Sequence, residues 1–387
     1  MPAYHHVTVF RDRHRYVLGP SVALTRQGDL VVAFNLGVMR EVGPLSPRPF
    51  LHPPYDPEYR NVLTRSRDGG RTWDAPRVFP GYDWHGLENP GLCVLANGDL
   101  LASVYRRRFY PTEQARKVPN LLGAWGGNGP YPWVVAHDGT YVHRSRDGGL
   151  TWDESVPVDT YPYVSGYTPR GAVELPGGTI MLPLAAADPF FDAHARRQGY
   201  NGPALGNDWG PDGCIKVGKS AAFVAISRDG GHTWKETREI ARHPHVNLHE
   251  PALACLAGGR LICHLRASDD GRGYLYQVTS DDGGHTWTPP SETPLWGYPA
   301  HIIQLSDGRV LSVYGHRREP FGIRACLSYD GGDSWDVEHE LIIRADLPNR
   351  NLGYPTAVAL EGGIVFTVYW GEDAEGVATI QGTFLKP

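Results

Sequence analysis

An all-β array of six similar units is predicted by two periodic features and by the composition. The octapeptide pattern S-x-D-G-G-x-S/T-W occurs five times, at residues 66–73, 145–152, 227–234, 280–287 and 328–335. Six further segments, 20–35, 90–106, 171–186, 251–266, 299–315 and 355–370, each read as an apolar run, a Gly-containing turn and a second apolar run. The 47 glycines and 33 prolines among 387 residues suit many short strands joined by many turns. Self-similarity at this period is the signature of a propeller or a solenoid.

Each element has a local cause. The two-run segments carry turns such as NGD, GG or SDG, so they read as tight hairpins, strands A and B of each unit. The run before each octapeptide is strand C and the run after it strand D. Within the octapeptide the Asp carboxylate can accept backbone N–H bonds of its own turn, the glycine pair permits positive φ, and the Trp can fold back as an apolar plug between neighbouring sheets. Six hairpins and five octapeptides give six units, the last without an octapeptide. Runs 6–10 and 377–384 have no partner in their own units, and pairing them closes a ring without an exposed edge. The chain 1–387 is expected to be one domain.

Strand alternation assigns faces. If strand A starts on the upper face, the A–B turns and the octapeptides lie below, and the B–C and D–A connections lie above. Octapeptides three to five follow one another at 53 and 48 residues, but the first two intervals are 79 and 82. The excess falls in the B–C connections 107–136 and 187–213, and 36–59 is also long. All three rise from the upper face, where binding concentrates on a rigid scaffold. The same face collects Arg40, Asp56, His85, Glu88, Arg106, Arg170, His249, Glu250, Arg266, Tyr298, His301, Arg317, Arg318 and Tyr354. So many charged groups around one axis require a ligand or mutual pairing.

Composition narrows the partners. A net charge of −5 argues against a nucleic-acid or membrane-surface partner, and no stretch approaches about 18 apolar residues. The five cysteines (Cys93, Cys214, Cys255, Cys263 and Cys326) are odd in number and lack CxxC spacing. Among the histidines only His243 and His245 show HxH spacing, and HExxH is absent. No metal and no other cofactor are therefore expected. Met1 is followed by polar sequence without an apolar signal region, so a cytoplasmic location is expected. The oligomeric state is not legible.

The octapeptides resemble the Asp-boxes of the sialidase superfamily over most of the chain. The resemblance implies a six-bladed β-propeller and an exo-acting glycoside hydrolase cleaving a terminal acidic sugar. In "LHEPALACLAGGRLICHLR", Glu250 and Arg266 resemble the family's Glu and following Arg. In "LGYPTAVAL", Tyr354 resembles its tyrosine nucleophile, and in "PPYDPEYRNVLTRSRDGG", Asp56 resembles its acid. A further family arginine is resembled by Arg317 or Arg318. One element is missing: where the family carries an Arg-Ile-Pro segment, this chain reads Leu18-Gly19-Pro20. Arg15, Arg40, Arg106 or Arg170 are the available substitutes. His85, His249, His301 and Tyr298 complete the expected substrate-binding set, and Trp125, Tyr131, Trp133, Tyr200 and Trp209 of the long loops suit stacking on sugar rings.

The chemistry is coherent. An oxocarbenium-like transition state needs an acid for the leaving oxygen and a nucleophile on the other side of the ring. Beside an anionic sugar a carboxylate nucleophile is repelled, whereas a tyrosine is neutral until an adjacent Glu takes its proton. Arginines bind the substrate carboxylate in bidentate pairs. Two alternatives stay open. A uronate-acting polysaccharide lyase would use the upper-face His and Tyr side chains, and a non-catalytic propeller would bind glycans without turnover.

Overall fold

The computed structural model describes residues 4–39, 56–79, 85–111, 114, 133–187, 220–268 and 272–387, with the backbone alone at 85–89, 133–138, 164, 165, 187 and 268. Six antiparallel sheets follow one another along the chain as the blades of a β-propeller. Blade four is representative: Asn247–Cys255, Leu261–Ser268, Tyr274–Ser280 and Ser291–Trp296 run in order from the inner strand outward. Blade six takes its outermost strand from the N-terminus, His5–Arg11, which pairs antiparallel with Ala378–Leu385. The ring is thus fastened by the two ends of the chain, as the orphan runs required.

The inner strands depart from the sequence expectation in an informative way. In blades one, two, four and six they begin before the proline that opens the hairpin pattern, at Arg15, His85, Asn247 and Leu352. Each changes register around that proline, between Leu18 and Ser21, Leu87 and Gly91, His249 and Ala252, and Gly353 and Thr356. Proline lacks an N–H for the ladder, so a bulge is where an inner strand can tolerate it. Blade three differs again. Its inner strand is split into Val164–Tyr167 and Val173–Glu174 rather than running from residue 171. Between the pieces Thr168 bonds both the N–H and the carbonyl of Arg170 through its hydroxyl. The backbone there also lies so close to blade two that a Cβ at Gly171 would fall 2.1 Å from the Leu92 carbonyl oxygen.

The five Asp-boxes occupy C–D turns of blades one to five and act as fasteners. In the first, Asp68 Oδ1 accepts from Arg71 N (3.0 Å) and Thr72 N (2.9 Å), while Ser66 Oγ accepts from Gly70 N at 2.7 Å. Both glycines have positive φ, 71° and 88°. Burial works to raise the Asp147, Asp229 and Asp330 carboxyls, but the repeated donors together outweigh it and hold them down at about 2. Each box also ties its blade to the one before it. Its Trp packs on the preceding blade: Trp73 stacks on Phe366, and Trp152 and Trp335 lie tilted against Phe79 and His264. Its first Gly carbonyl, or the second in boxes four and five, accepts a long side chain of that same preceding blade. The pairs are Arg65 to Gly148, Arg144 to Gly230, Arg238 to Gly284 (2.9 Å) and Gln277 to Gly332 (2.8 Å). The core is divided among the blade interfaces. Val22, Val32 and Phe34 of blade one, for example, pack with Phe366, Val368 and Ile380 of blade six.

Arg144 is buried and also pairs with Asp99, whereas its near neighbour Arg146 is an exposed partner of Asp153. Arg144→Met is expected to lower the free energy of chemical unfolding by about 3 kcal/mol, since it strands a partly buried carboxylate and an inter-blade carbonyl. Arg146→Met is expected to cost less than about 0.5 kcal/mol. Equal losses in the two variants would contradict the fastening role.

Candidate active site

Among the described residues, Glu250 (φ 46°) and Tyr354 (φ 50°) are the two non-glycine residues with positive φ. Both precede the proline of an inner-strand bulge, in blades four and six respectively. A left-handed conformation at a residue with a Cβ costs about 1–3 kcal/mol and persists only where the surroundings over-determine it. The equivalent position in blade one is Gly19, with φ 57° and no such cost. A bulge re-aims a side chain. Here two bulges aim Glu250 and Tyr354 at each other: Tyr354 Oη donates to Glu250 Oε1, with both residues buried.

Arg266 lies opposite His249 in the next strand and reaches over the bulge, its Nη1 donating to Glu250 Oε2 at 3.1 Å and Oε1 at 3.3 Å. Burial works to raise the Glu250 carboxyl, but Arg266, the Tyr354 hydroxyl and Arg317 outweigh it and hold the group below the usual carboxylate range. Arg266 itself, although burial disfavours its charge, is pushed up by Glu250.

Arg317 and Arg318 part company. The Arg317 guanidinium lies 5.6 Å from the Tyr354 ring centroid and 5.3 Å from that of Tyr298, and its Nε is buried without a hydrogen-bond partner. Arg318 is exposed, stacks 4.1 Å over Trp296 and donates from Nε to His316 Nε2 at 3.2 Å. The Tyr298 ring also takes Arg266, at 4.5 Å, so both guanidiniums lie against it. Arg317 comes this close because residue 353 is glycine, with φ 121°: a Cβ there would sit 3.3 Å from Arg317 Nη2.

The other expected site residues make their contacts outside this cluster. Arg170 is 2 % exposed and gives its Nε to the Ala300 carbonyl (2.8 Å), and burial pushes it down to about 10 despite Glu250 and Tyr354 nearby. His301 accepts the Ala357 N–H at Nδ1 (3.2 Å), and burial together with Arg170 pushes it down to about 3, so it is a neutral link between blades five and six. His249 Nδ1 lies 3.2 Å from Ser220 Oγ and 3.4 Å from Tyr167 Oη. Arg106 packs 3.1 Å over the Tyr141 ring of its own blade. Asp56 is fully buried, its Oδ1 accepting from Glu58 N at 2.8 Å. Leu18, where the expected arginine is missing, belongs to the apolar cluster that includes Tyr354. The His85 and Trp133 side chains, Arg40, Trp125, Tyr131, Tyr200 and Trp209 lie outside the described residues.

The structure therefore brings together Glu250, Tyr354, Arg266, Arg317 and Tyr298. Sequence reasoning missed Tyr167, whose Oη lies against His249. It also missed the role of Gly353. Among the described residues no group of three His, Cys, Asp or Glu side chains is placed to hold a metal ion.

Comparison with known proteins agrees with this architecture. A sialidase of Micromonospora viridifaciens is 29% identical over 286 residues, 70% of this chain and 38% of that protein. A sialidase of Bacteroides fragilis is 22% identical over 353 residues, 84% of this chain and 56% of that protein. The chain thus spans less than two thirds of either relative. Among solved structures, a protein of unknown function from Dyadobacter fermentans superposes over 100% of both chains with a TM-score of 0.79 and 26% identity. The profile of the BNR repeat-like domain matches residues 128–367, more than half of the sequence, and the chain belongs to that family.

Proposed function

We propose that this protein is a retaining exo-glycosidase of sialidase type acting on a terminal acidic sugar. The observation that carries the proposal is the buried Tyr354–Glu250 hydrogen bond flanked by the Arg266 and Arg317 guanidiniums. The two relatives that are sialidases support it. Glu250 takes the phenolic proton as Tyr354 Oη attacks the anomeric carbon. The glycosidic C–O bond breaks, its electron pair leaves with the aglycone oxygen, and Asp56, assigned on the sequence pattern, protonates that oxygen. Water, deprotonated by Asp56, then displaces Tyr354 Oη, which recovers its proton from Glu250. Arg266 and Arg317 bind the sugar carboxylate. An uncharged tyrosine suits this task because the site is already committed to attracting an anion.

A lyase would depend on the upper-face histidines. His301 uses Nδ1 to join two blades, which withdraws it from proton transfer and supports hydrolysis.

Aryl glycosides of acidic sugars and uronate oligosaccharides, read for released phenol and for ultraviolet gain, test the proposal. Phenol release with retained anomeric configuration is expected. Tyr354→Phe is expected to lose more than about 10³-fold in kcat, as removal of a nucleophile does. Turnover unchanged in both Tyr354→Phe and Glu250→Ala, or ultraviolet gain without phenol, would sink it.

The pH profile follows from Glu250. The base must be ionised, and its carboxyl is held below the usual value of about 4.3, so kcat/KM should stay level down to that range and fall only as pH drops further. An acid limb near pH 6 would contradict the assignment. Gly353→Ala should raise KM about tenfold with a smaller change in kcat, because the added Cβ displaces Arg317. An unchanged KM would remove Arg317 from substrate binding.

A further inference from the structure

The two arginines beside the Tyr354–Glu250 pair are held by different means. Arg266 is anchored on the Glu250 carboxylate through Nη1. Arg317 has no such anchor: its Nε is buried without a partner, and among the described residues its guanidinium forms no hydrogen bond or ion pair. What surrounds it instead is aromatic. The guanidinium lies 5.3 Å from the Tyr298 ring centroid and 5.6 Å from that of Tyr354. Both distances are within the roughly 6 Å over which a ring face attracts a cation. A ring acts on the face of a guanidinium and leaves its N–H edge for an anion.

Of the two rings, that of Tyr298 is built in as a support. Its backbone N–H donates to the Gly315 carbonyl at 2.9 Å. A Cβ at Gly315 would fall 2.8 Å from the Tyr298 carbonyl oxygen, and one at Gly297 would fall 2.6 Å from the Gly315 carbonyl oxygen. The connection entering blade five is thus pressed against the end of the strand Val310–His316, and Arg317 follows that strand directly. The half-buried Tyr298 ring packs in turn on the apolar cluster that holds Ala300 and Tyr314. Ring and guanidinium therefore start from one locked corner. Arg266 lies against the same ring at 4.5 Å, so two like charges share one support, and an anion between them relieves their repulsion.

We propose that Tyr298 is a positioning residue, its ring holding the otherwise unbonded Arg317 guanidinium beside Tyr354 in readiness for an anion. This rests on Arg317 being a substrate-binding group of the proposed glycosidase. It replaces the direct sugar contact that the sequence suggests for Tyr298 with an action through the arginine.

The first measurement needs no substrate. The full-length protein is labelled with ¹⁵Nε-arginine, the Arg317 resonance is identified by its loss in Arg317→Met, and exchange of the Nε–H with solvent is timed. Tyr298→Phe, which keeps the ring, is expected to leave the Arg317 rate within about twofold, whereas Tyr298→Leu should raise it about tenfold, as loss of a cation–π contact does. The Nε–H of Arg170, bonded to Ala300 two residues beyond Tyr298, is the control and should not change. Tyr298→Met replaces Tyr298→Leu if the latter does not fold. Equal acceleration at Arg170 would make Tyr298 a prop for blade five, and an unchanged Arg317 rate would leave the ring without this role; either overturns the proposal. The second measurement uses an aryl glycoside of an acidic sugar. Tyr298→Leu should raise KM about tenfold with a smaller change in kcat, Tyr298→Phe should keep the wild-type KM, and Tyr298→Leu should add less than about twofold in an Arg317→Met background. A full further loss in that background, or a loss in Tyr298→Phe equal to that in Tyr298→Leu, would mean that Tyr298 meets the sugar itself and would overturn the proposal. Absence of turnover in the unaltered protein would count against the glycosidase reading alone, and the exchange rates would still decide this one.

Discussion

The site depends on two inner-strand bulges that hold Glu250 and Tyr354 in a left-handed backbone conformation. In a regular ladder, side chains alternate strictly between the two faces of a blade. A residue that must point along the propeller axis, toward a residue of a blade two positions away, cannot be placed by that alternation alone. The bulge before proline breaks it. The local cost at each of the two positions is real, and it survives because the blades on either side are fixed.

That fixity comes from the opposite face. Each Asp-box Trp rests on the preceding blade, and a side chain of that blade returns to a glycine carbonyl of the box. The boxes hold no chemistry of their own, yet they set the angle between blades and hence the distance between bulges. The N-terminal strand completes the same constraint by closing blade six, the blade that carries Tyr354. A stable lower face and a strained upper one are two aspects of one arrangement.

Much of this was legible because it is local. The Asp-box chemistry lies within eight residues, and a tight hairpin announces itself in a few more, so six blades and the closure could be counted from the sequence. Glu250, Arg266 and Tyr354 were legible through their neighbours in the pattern. What could not be read depends on backbone conformation or on distant packing. Arg317 and Arg318 are adjacent and chemically alike, and only the fold turns one toward Tyr354 and the other onto Trp296. The positive φ of residues 250 and 354 had one trace in the sequence, the recurring X-Pro at the start of inner strands, which reads as an ordinary strand opening. Arg170 is the clearest case: the sequence offers it as an upper-face arginine for the substrate, and its enclosure follows from the contacts of three blades.

The central claim is that the hydroxyl of Tyr354 is the group that meets the sugar. The most direct measurement is covalent trapping with a fluorinated acidic sugar bearing a good leaving group, followed by peptide mass mapping. One glycosyl unit on the peptide containing Tyr354, absent in Tyr354→Phe, is the predicted result. A label on another residue, with Tyr354 unmodified, would contradict it.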